Sequence, residues 1–277
     1  MLIIKNVDLD LDDTITCGQI FRYEKEEDNS YTVILSDRVV NLKLDNNNLI
    51  IKSNNYDNLE NIVKKYLDLD RDYEKLNKKI IKIDNSLGQI VESCKGLKII
   101  NQPKFECYIS YIISQNNRVI QIAKTLDNIS KKYGEKVIFE NKEYYLFPTL
   151  KQLSNCTIED FRNLKTGFRD KYLYGFVNKL NNNEFDLDIV NELTSEEALN
   201  YLKQVNGIGD KVASCILMFA YSKFDVFPID TWVKKYMKDK YDTTDVKEIR
   251  KITNEKYKNN CGLVIQYMFH YKRNKEL

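Results

Sequence analysis

The spacing of apolar residues changes once along this chain, near residue 56, and that change limits what it can fold into. Before it, apolar residues come in short β-rich runs at 2–9, 20–24, 31–35, 39–44 and 49–52. Turn-forming residues break these runs at 26–30, 36–37 and 45–48. Short connections of that kind join antiparallel neighbours. After it, Leu59, Ile62, Val63 and Tyr66 fall at i, i+3, i+4 and i+7, the spacing of one helix face. Helical spacing then recurs at 104–115, 118–133, 157–164, 169–181, 195–204, 209–222, 231–239, 244–257 and 260–272. The prolines punctuate this pattern: Pro103 precedes a helix, Pro148 breaks an extended segment and Pro228 ends a loop. The expected fold class is α+β. An N-terminal antiparallel sheet domain with flanking helices (1–100) is followed by a mostly helical region (101–277).

Charge and cysteine usage narrow the chemistry. Residues 1–60 hold 6 Lys/Arg against 12 Asp/Glu, whereas residues 233–277 hold 12 against 6. A polyanion would approach the C-terminal part and avoid the N-terminal part. Six cysteines are scattered with no Cys-x-x-Cys pair, which disfavours zinc and iron–sulfur modules and suits a reducing compartment. The single histidine, His270, argues against His-based metal sites and a Ser-His-Asp triad. No apolar run approaches the ~20 residues of a membrane span, and no signal pattern opens the chain. A cytoplasmic protein without a bound metal is expected.

The stretch from Val205 to Cys215 carries the strongest local signal. Asn206-Gly207-Ile208-Gly209 reads as a hairpin between two helices, expected at about 196–222. Gly207 and Gly209 would permit positive φ and close approach by a ligand backbone, and Ile208 would plug the hairpin into the core. Backbone N–H groups at the following helix start suit a DNA phosphate. Lys211 lies on the first turn of that helix, beside the positive end of its dipole, where an amine nucleophile could be set up. Cys215 shares its face, four residues on. Asp230 follows Pro228-Ile229 as a helix N-cap, a position that also offers a carboxylate to a developing cation. A plain helical corner with a glycine cap, a surface lysine and a capping aspartate remain open readings of the same residues.

Gly-Ile-Gly-x-Lys-Val-Ala, with Asp230 19 residues after Lys211, resembles the helix–hairpin–helix DNA glycosylase superfamily. Further segments resemble its 8-oxoguanine (Ogg-type) branch. They are Cys17-Gly18-Gln19-Ile20-Phe21-Arg22, Ile113-Ser114-Gln115-Asn116-Asn117, Phe147-Pro148-Thr149-Leu150, Gly167-Phe168-Arg169-Asp170-Lys171-Tyr172 and the stretch from Gly262 to Phe269. Six motifs in order cover nearly the whole chain. The resemblance implies a glycosylase core of two helical subdomains acting on duplex DNA that contains a damaged base, as a bacterial-type, nucleoid-associated monomer. Lys211 would attack C1′, expel the base and leave a Schiff base, from which β-elimination nicks the strand. Asp230 would stabilise the sugar cation. The Gly18 carbonyl would accept the N7–H that 8-oxoguanine has and guanine lacks. Cys215 and Phe269 would sandwich the flipped base. Asn116 would fill the gap in the duplex, Phe168 would wedge into the stack and Arg169 would hold the orphaned cytosine, with Gly207 and Gly209 at the phosphate. No cofactor is implied beyond a monovalent cation in the 206–211 hairpin.

Two positions depart from that pattern. Ile265 stands where a base-reading glutamine is usual, four residues before Phe269, and Gln266 is rotated from it by ~100° on a helix. Gln121 stands where the eukaryotic type has an arginine toward the opposite cytosine, so weaker preference for cytosine is expected. An alkylated-base glycosylase on the same scaffold would need no lysine. The endonuclease III branch would need a C-terminal four-cysteine loop that is missing here. A non-catalytic DNA clamp would have no use for the Lys211–Asp230 pair.

Overall fold

The computed structural model describes residues 1–275. Five strands, β1 (Leu2–Ile4), β2 (Tyr23–Lys25), β3 (Tyr31–Leu35), β4 (Arg38–Asp45) and β5 (Asn48–Ser53), form an antiparallel sheet in the order β1-β5-β4-β3-β2. The β4–β5 turn places Asn46 and Asn47 both at positive φ (45° and 62°), the geometry whose twist matches a two-residue hairpin. Register pairs Leu42 with Ile51 and Val40 with Ser53. Val40, Leu42 and Ile51 point into one apolar core, whereas Val39 points to the other face against Phe139 and Leu146. Coverage on both faces explains why the first five residues of β4, Arg38 and Asn41 included, are all buried.

Several elements lie outside the ranges read from periodicity. Strand β1 stops at Ile4 within the 2–9 run, and residues 11–16, where the spacing marks no element, form a helix, α1 (Leu11–Thr16). Asp10 caps it by accepting the Asp13 N–H at 2.8 Å, and Asp12 and Asp13 occupy its first turn. The segment around 136–145 forms a second hairpin, β6 (Lys136–Phe139) and β7 (Lys142–Tyr145), closed by Glu140 and Asn141 at positive φ.

Most helices follow the sequence spacing closely, whereas those at 73–83, 88–93 and 150–153 fall outside the ranges it marks. After α2 (Leu59–Tyr66), α3 (Tyr73–Ile83) and α4 (Gly88–Ser93) come α5 (Lys104–Ser114), α6 (Val119–Tyr133), α7 (Leu150–Leu153), α8 (Ile158–Asn163) and α9 (Asp170–Asn181). The last five are α10 (Ser195–Leu202), α11 (Asp210–Tyr221), α12 (Thr231–Tyr241), α13 (Val246–Tyr257) and α14 (Cys261–Lys275). Helices α5 and α11 are buried nearly all round and pack on each other at the centre of the helical body. Tyr73, Ile80, Leu87 and Val91 join this body, so α3 and α4 pack with the C-terminal helices rather than with the sheet. Each fully buried large apolar side chain contributes roughly 1.5–3 kcal/mol. The eight consecutive buried residues 212–219 therefore hold the start of α11, and Lys211 with it, against a rigid base.

Candidate active site

Lys211 is the last partly exposed residue before that buried run, and it opens onto a cleft. Three distant parts of the chain meet there. Gly18 comes from the turn after α1, Lys211 and Cys215 from α11, and Ile265, Gln266 and Phe269 from α14. Asp230 completes the wall from the loop before α12. Its Oδ1 accepts the Val233 N–H at 2.8 Å, so the cap read from sequence is present. The Lys211 ammonium lies 5.6 Å from the centre of the Tyr111 ring, an aromatic floor that favours a cation. Burial pushes the Cys215 thiol above its ordinary value, although the neighbouring Lys211 pulls the other way. The thiol is thus kept neutral, and the amine is the nucleophile available in this cleft.

The hairpin before α11 is closed by packing as much as by turn geometry. Gly207 has φ +88°, and a Cβ there would lie 2.5 Å from Cγ of Tyr172. Gly209 corrects the sequence reading: its φ is −91° and ψ −178°, an extended N-cap conformation that needs no glycine. A Cβ there would meet nothing within 4 Å, so its surface lies open. Asp210 is held by Lys203 at 3.1 Å and Arg250 at 3.5 Å, which fastens α11 to α10 and α13.

A second group of sequence-selected residues lies outside the cleft. Asn116 is exposed, at φ 46°, in the turn between α5 and α6; its neighbour Asn117 lines the cleft instead. Phe168 is 56% exposed, edge-on to Tyr172. Val119 and Ile120 are likewise exposed, and Gln121 faces solvent beside them. Arg169 corrects a second expectation. It is only 6% exposed, and its guanidinium donates to the carbonyls of Gln115, Asn116 and Thr166. Helix ends leave carbonyls without partners, and one planar fork satisfies three of them together. Arg169 therefore braces the Phe168 turn against the Asn116 turn, and its position is not an open one.

Sequence reasoning missed part of the cleft wall. Trp232, the chain's single tryptophan, stands edge-on to Phe269 at 6.4 Å and carries the Lys272 ammonium 5.4 Å from its ring centre. Its place two residues after Asp230 was the available signal. Tyr111, Phe21 and Met218 also line the cleft, and nothing in their spacing set them apart from core residues. Ile265 and Gln266 both reach the wall, so the rotation between them does not remove the glutamine. Its amide is engaged, however, donating to the Cys17 carbonyl at 3.2 Å.

Residues 1–108 match the model of the 8-oxoguanine DNA glycosylase N-terminal domain. A solved structure of the Clostridium acetobutylicum 8-oxoguanine glycosylase/lyase, in complex with duplex DNA containing cytosine opposite 8-oxoG, superposes with a TM-score of 0.94 at 36% identity. That match covers 99% of this chain and 96% of the other. The N-glycosylase/DNA lyase OGG1 of Arabidopsis thaliana is 27% identical over 240 residues, which are 83% of this chain and 66% of the plant protein. A probable N-glycosylase/DNA lyase of Methanothermobacter thermautotrophicus is 26% identical over 56% of this chain. The match spans about two thirds of the plant protein and about half (55%) of the archaeal one.

Proposed function

The chain belongs to the 8-oxoguanine DNA glycosylase/lyase family, and from that premise we propose that it excises 8-oxoguanine from duplex DNA and then nicks the strand. The observation that carries the proposal is the meeting of Lys211 and Asp230 on one cleft with Gly18, Cys215 and Phe269 around it. In this reading the Lys211 amine, once it has given up its proton, forms a bond to C1′ as the C1′–N9 bond breaks. The base leaves with a proton. Positive charge developing on the sugar is met by the Asp230 carboxylate, whose orientation the cap bond fixes before reaction. Loss of a proton from the amine and opening of the sugar ring give a Schiff base. Removal of a C2′ proton then expels the 3′ phosphate, which cuts the strand.

Base selection is assigned to the cleft walls. Cys215 and Phe269 supply the two faces, a polarisable neutral thiol and an aromatic ring. The Gly18 carbonyl supplies the acceptor for N7–H. Leaving one buried group unpaired costs ~1–3 kcal/mol, enough to separate lesion from guanine by one to two orders of magnitude. Phe168 and the Asn116 turn, braced by Arg169, are assigned to the duplex side, where they would occupy the space of the flipped nucleotide. Gly207 and Gly209 present backbone N–H groups to a phosphate. The backbone carbonyls of the 206–211 hairpin are the hard donors a monovalent cation would use, and such an ion supplies anchoring and no chemical step. Among the described residues no helix is long and apolar enough to cross a membrane. Acting on duplex DNA, the protein would work at the nucleoid in the cytoplasm.

The test is reductive trapping. With borohydride, wild-type protein and an 8-oxoguanine duplex should yield a covalent complex, and Lys211→Gln should yield none. Lack of a trapped complex with the wild type would overturn the lysine mechanism.

A further inference from the structure

We propose that Gln102, which lies outside the cleft, is a positioning residue for lesion recognition: with Gln19 and Gln266 it fixes the direction of the Gly18 carbonyl. The inference rests on the assignment of that carbonyl as the acceptor for N7–H.

The carbonyls on either side of Gly18 are both held. Cys17 O accepts from Gln266 Nε2 at 3.2 Å. Gln19 O accepts from Gln102 Nε2 at 2.7 Å and from the Tyr111 hydroxyl at 3.0 Å. The Gln19 side chain is itself fully buried, with Nε2 on Lys98 O at 2.7 Å and Thr14 O at 3.2 Å, and Oε1 taking the Ile100 N–H at 2.8 Å. Gln102 and Gln266 are 8% and 7% exposed. Three buried amides and the Tyr111 hydroxyl thus tie one turn to the 98–102 segment, α5 and α14. Buried amides are costly unless their partners are in place, so this frame holds only in one geometry. Gly18 adds its own restriction, with φ +87° and the Phe269 ring edge 3.5 Å from where a Cβ would stand.

Rigidity matters here for a specific reason. Before guanine, the Gly18 carbonyl would face the N7 lone pair. That repulsion rejects guanine only if the carbonyl cannot swing aside. Before 8-oxoguanine the same oxygen receives a proton donor. A loose peptide would lose the reward and the penalty together.

Gln102 gives the test, because it reaches Gly18 through the backbone of residue 19; its amide also bonds the Tyr111 hydroxyl, whose ring lies under Lys211, and the abasic-site rate reads that route. Two single-turnover rates are compared, release of 8-oxoguanine from a duplex and cleavage of a preformed abasic site, which has no base to read. For Gln102→Leu we expect base release to slow about tenfold, the order expected for one lost hydrogen bond, with abasic-site cleavage within about twofold of wild type. Excision of undamaged guanine should rise relative to the lesion. Gln102→Met, closer in length to the native side chain, must give the same split, read on whichever variant retains the native circular dichroism spectrum. Equal losses on both substrates, or no loss on either, would overturn the positioning role alone. Failure of the wild type to release 8-oxoguanine would overturn the function beneath it.

Discussion

At Asp230 the cap bond to the Val233 N–H and the proposed stabilisation of a sugar cation draw on the same carboxylate. The two uses can be separated, because asparagine caps a helix about as well as aspartate but carries no charge. Asp230→Asn should leave urea unfolding within about 0.5 kcal/mol of wild type, while single-turnover excision falls by at least about a hundredfold, or ~2.7 kcal/mol of barrier. Asp230→Ala should lose the same activity and in addition about 1 kcal/mol of stability. Gln121 supports a second expectation. It is exposed beside the Asn116 turn, where an amide offers no fixed charge to an opposite cytosine, and Arg169 is committed to backbone carbonyls. Excision rates from duplexes with C, A, G or T opposite the lesion should fall within about tenfold of one another, a spread worth ~1.4 kcal/mol. Lys211, Asp230 and Cys215 were legible from their spacing along a turn or helix, and Phe269 from the resemblance of the stretch that ends on it. Gln102 and the bracing position of Arg169 were not. Their partners are backbone carbonyls 83 and 54 residues away, which no local pattern encodes.

Among elements, the long helices could be read from periodicity because each buries a continuous stripe. The short α1 and the β6–β7 hairpin could not, since six residues or a pair of four-residue strands hold too few turns or alternations to show a period. Tertiary contacts place such pieces, and the same kind of contact joins α3 to the C-terminal helices. Asp84, at the end of α3, is 8% exposed and faces four groups from three elements. Lys256 of α13 lies 2.7 Å away, the Tyr257 hydroxyl 2.9 Å and Lys240 of α12 3.7 Å, and Ser86 donates through its N–H and its hydroxyl. Burial acts to raise this carboxyl, but the hydrogen bonds from Lys256, Ser86 and Tyr257 and the charge of Lys240 outweigh it, and the carboxyl is held well below its ordinary value. A depressed carboxylate contributes stability that is complete above the unfolded-state value near 4 and is lost as pH falls toward the folded one. Wild-type stability should therefore drop more steeply than that of Asp84→Asn below about pH 4. At pH 7 the variant should be less stable by about 2–3 kcal/mol, the cost of leaving buried partners of a charge unpaired. Urea unfolding at pH 7, 4 and 3 measures both effects.

Over the whole molecule, the negative N-terminal segment and the positive C-terminal segment are brought to one cleft, with Gly18 contributed by the first and Phe269 by the second. A duplex reaching Lys211 must therefore lie toward the basic side while its flipped base enters between the two. Part of the C-terminal charge is already paired within the chain, where Lys240 and Lys256 share Asp84 and, on the surface, Lys238 pairs with Asp242 at 2.5 Å. Lys235 is exposed on the first turns of α12, just beyond the Asp230 cap, and Glu27 is exposed in the β2–β3 turn. Each phosphate neutralised releases counterions and adds about −0.9 to the slope of log affinity against log salt. With roughly four phosphates held, duplex affinity should fall on the order of a hundredfold between about 50 and 200 mM salt. Lys235→Ala should make the slope shallower by about 0.9 if the basic face carries the duplex, because one phosphate contact is removed. Glu27→Lys changes the charge by +2 within the acidic N-terminal segment and should leave the slope unchanged if only the basic face carries the duplex. Titrations of an 8-oxoguanine duplex onto the Lys211→Gln protein, which binds without reacting, measure all three slopes. A slope made shallower by Lys235→Ala and steeper by Glu27→Lys would mean that net charge, and not an oriented face, governs the approach of DNA.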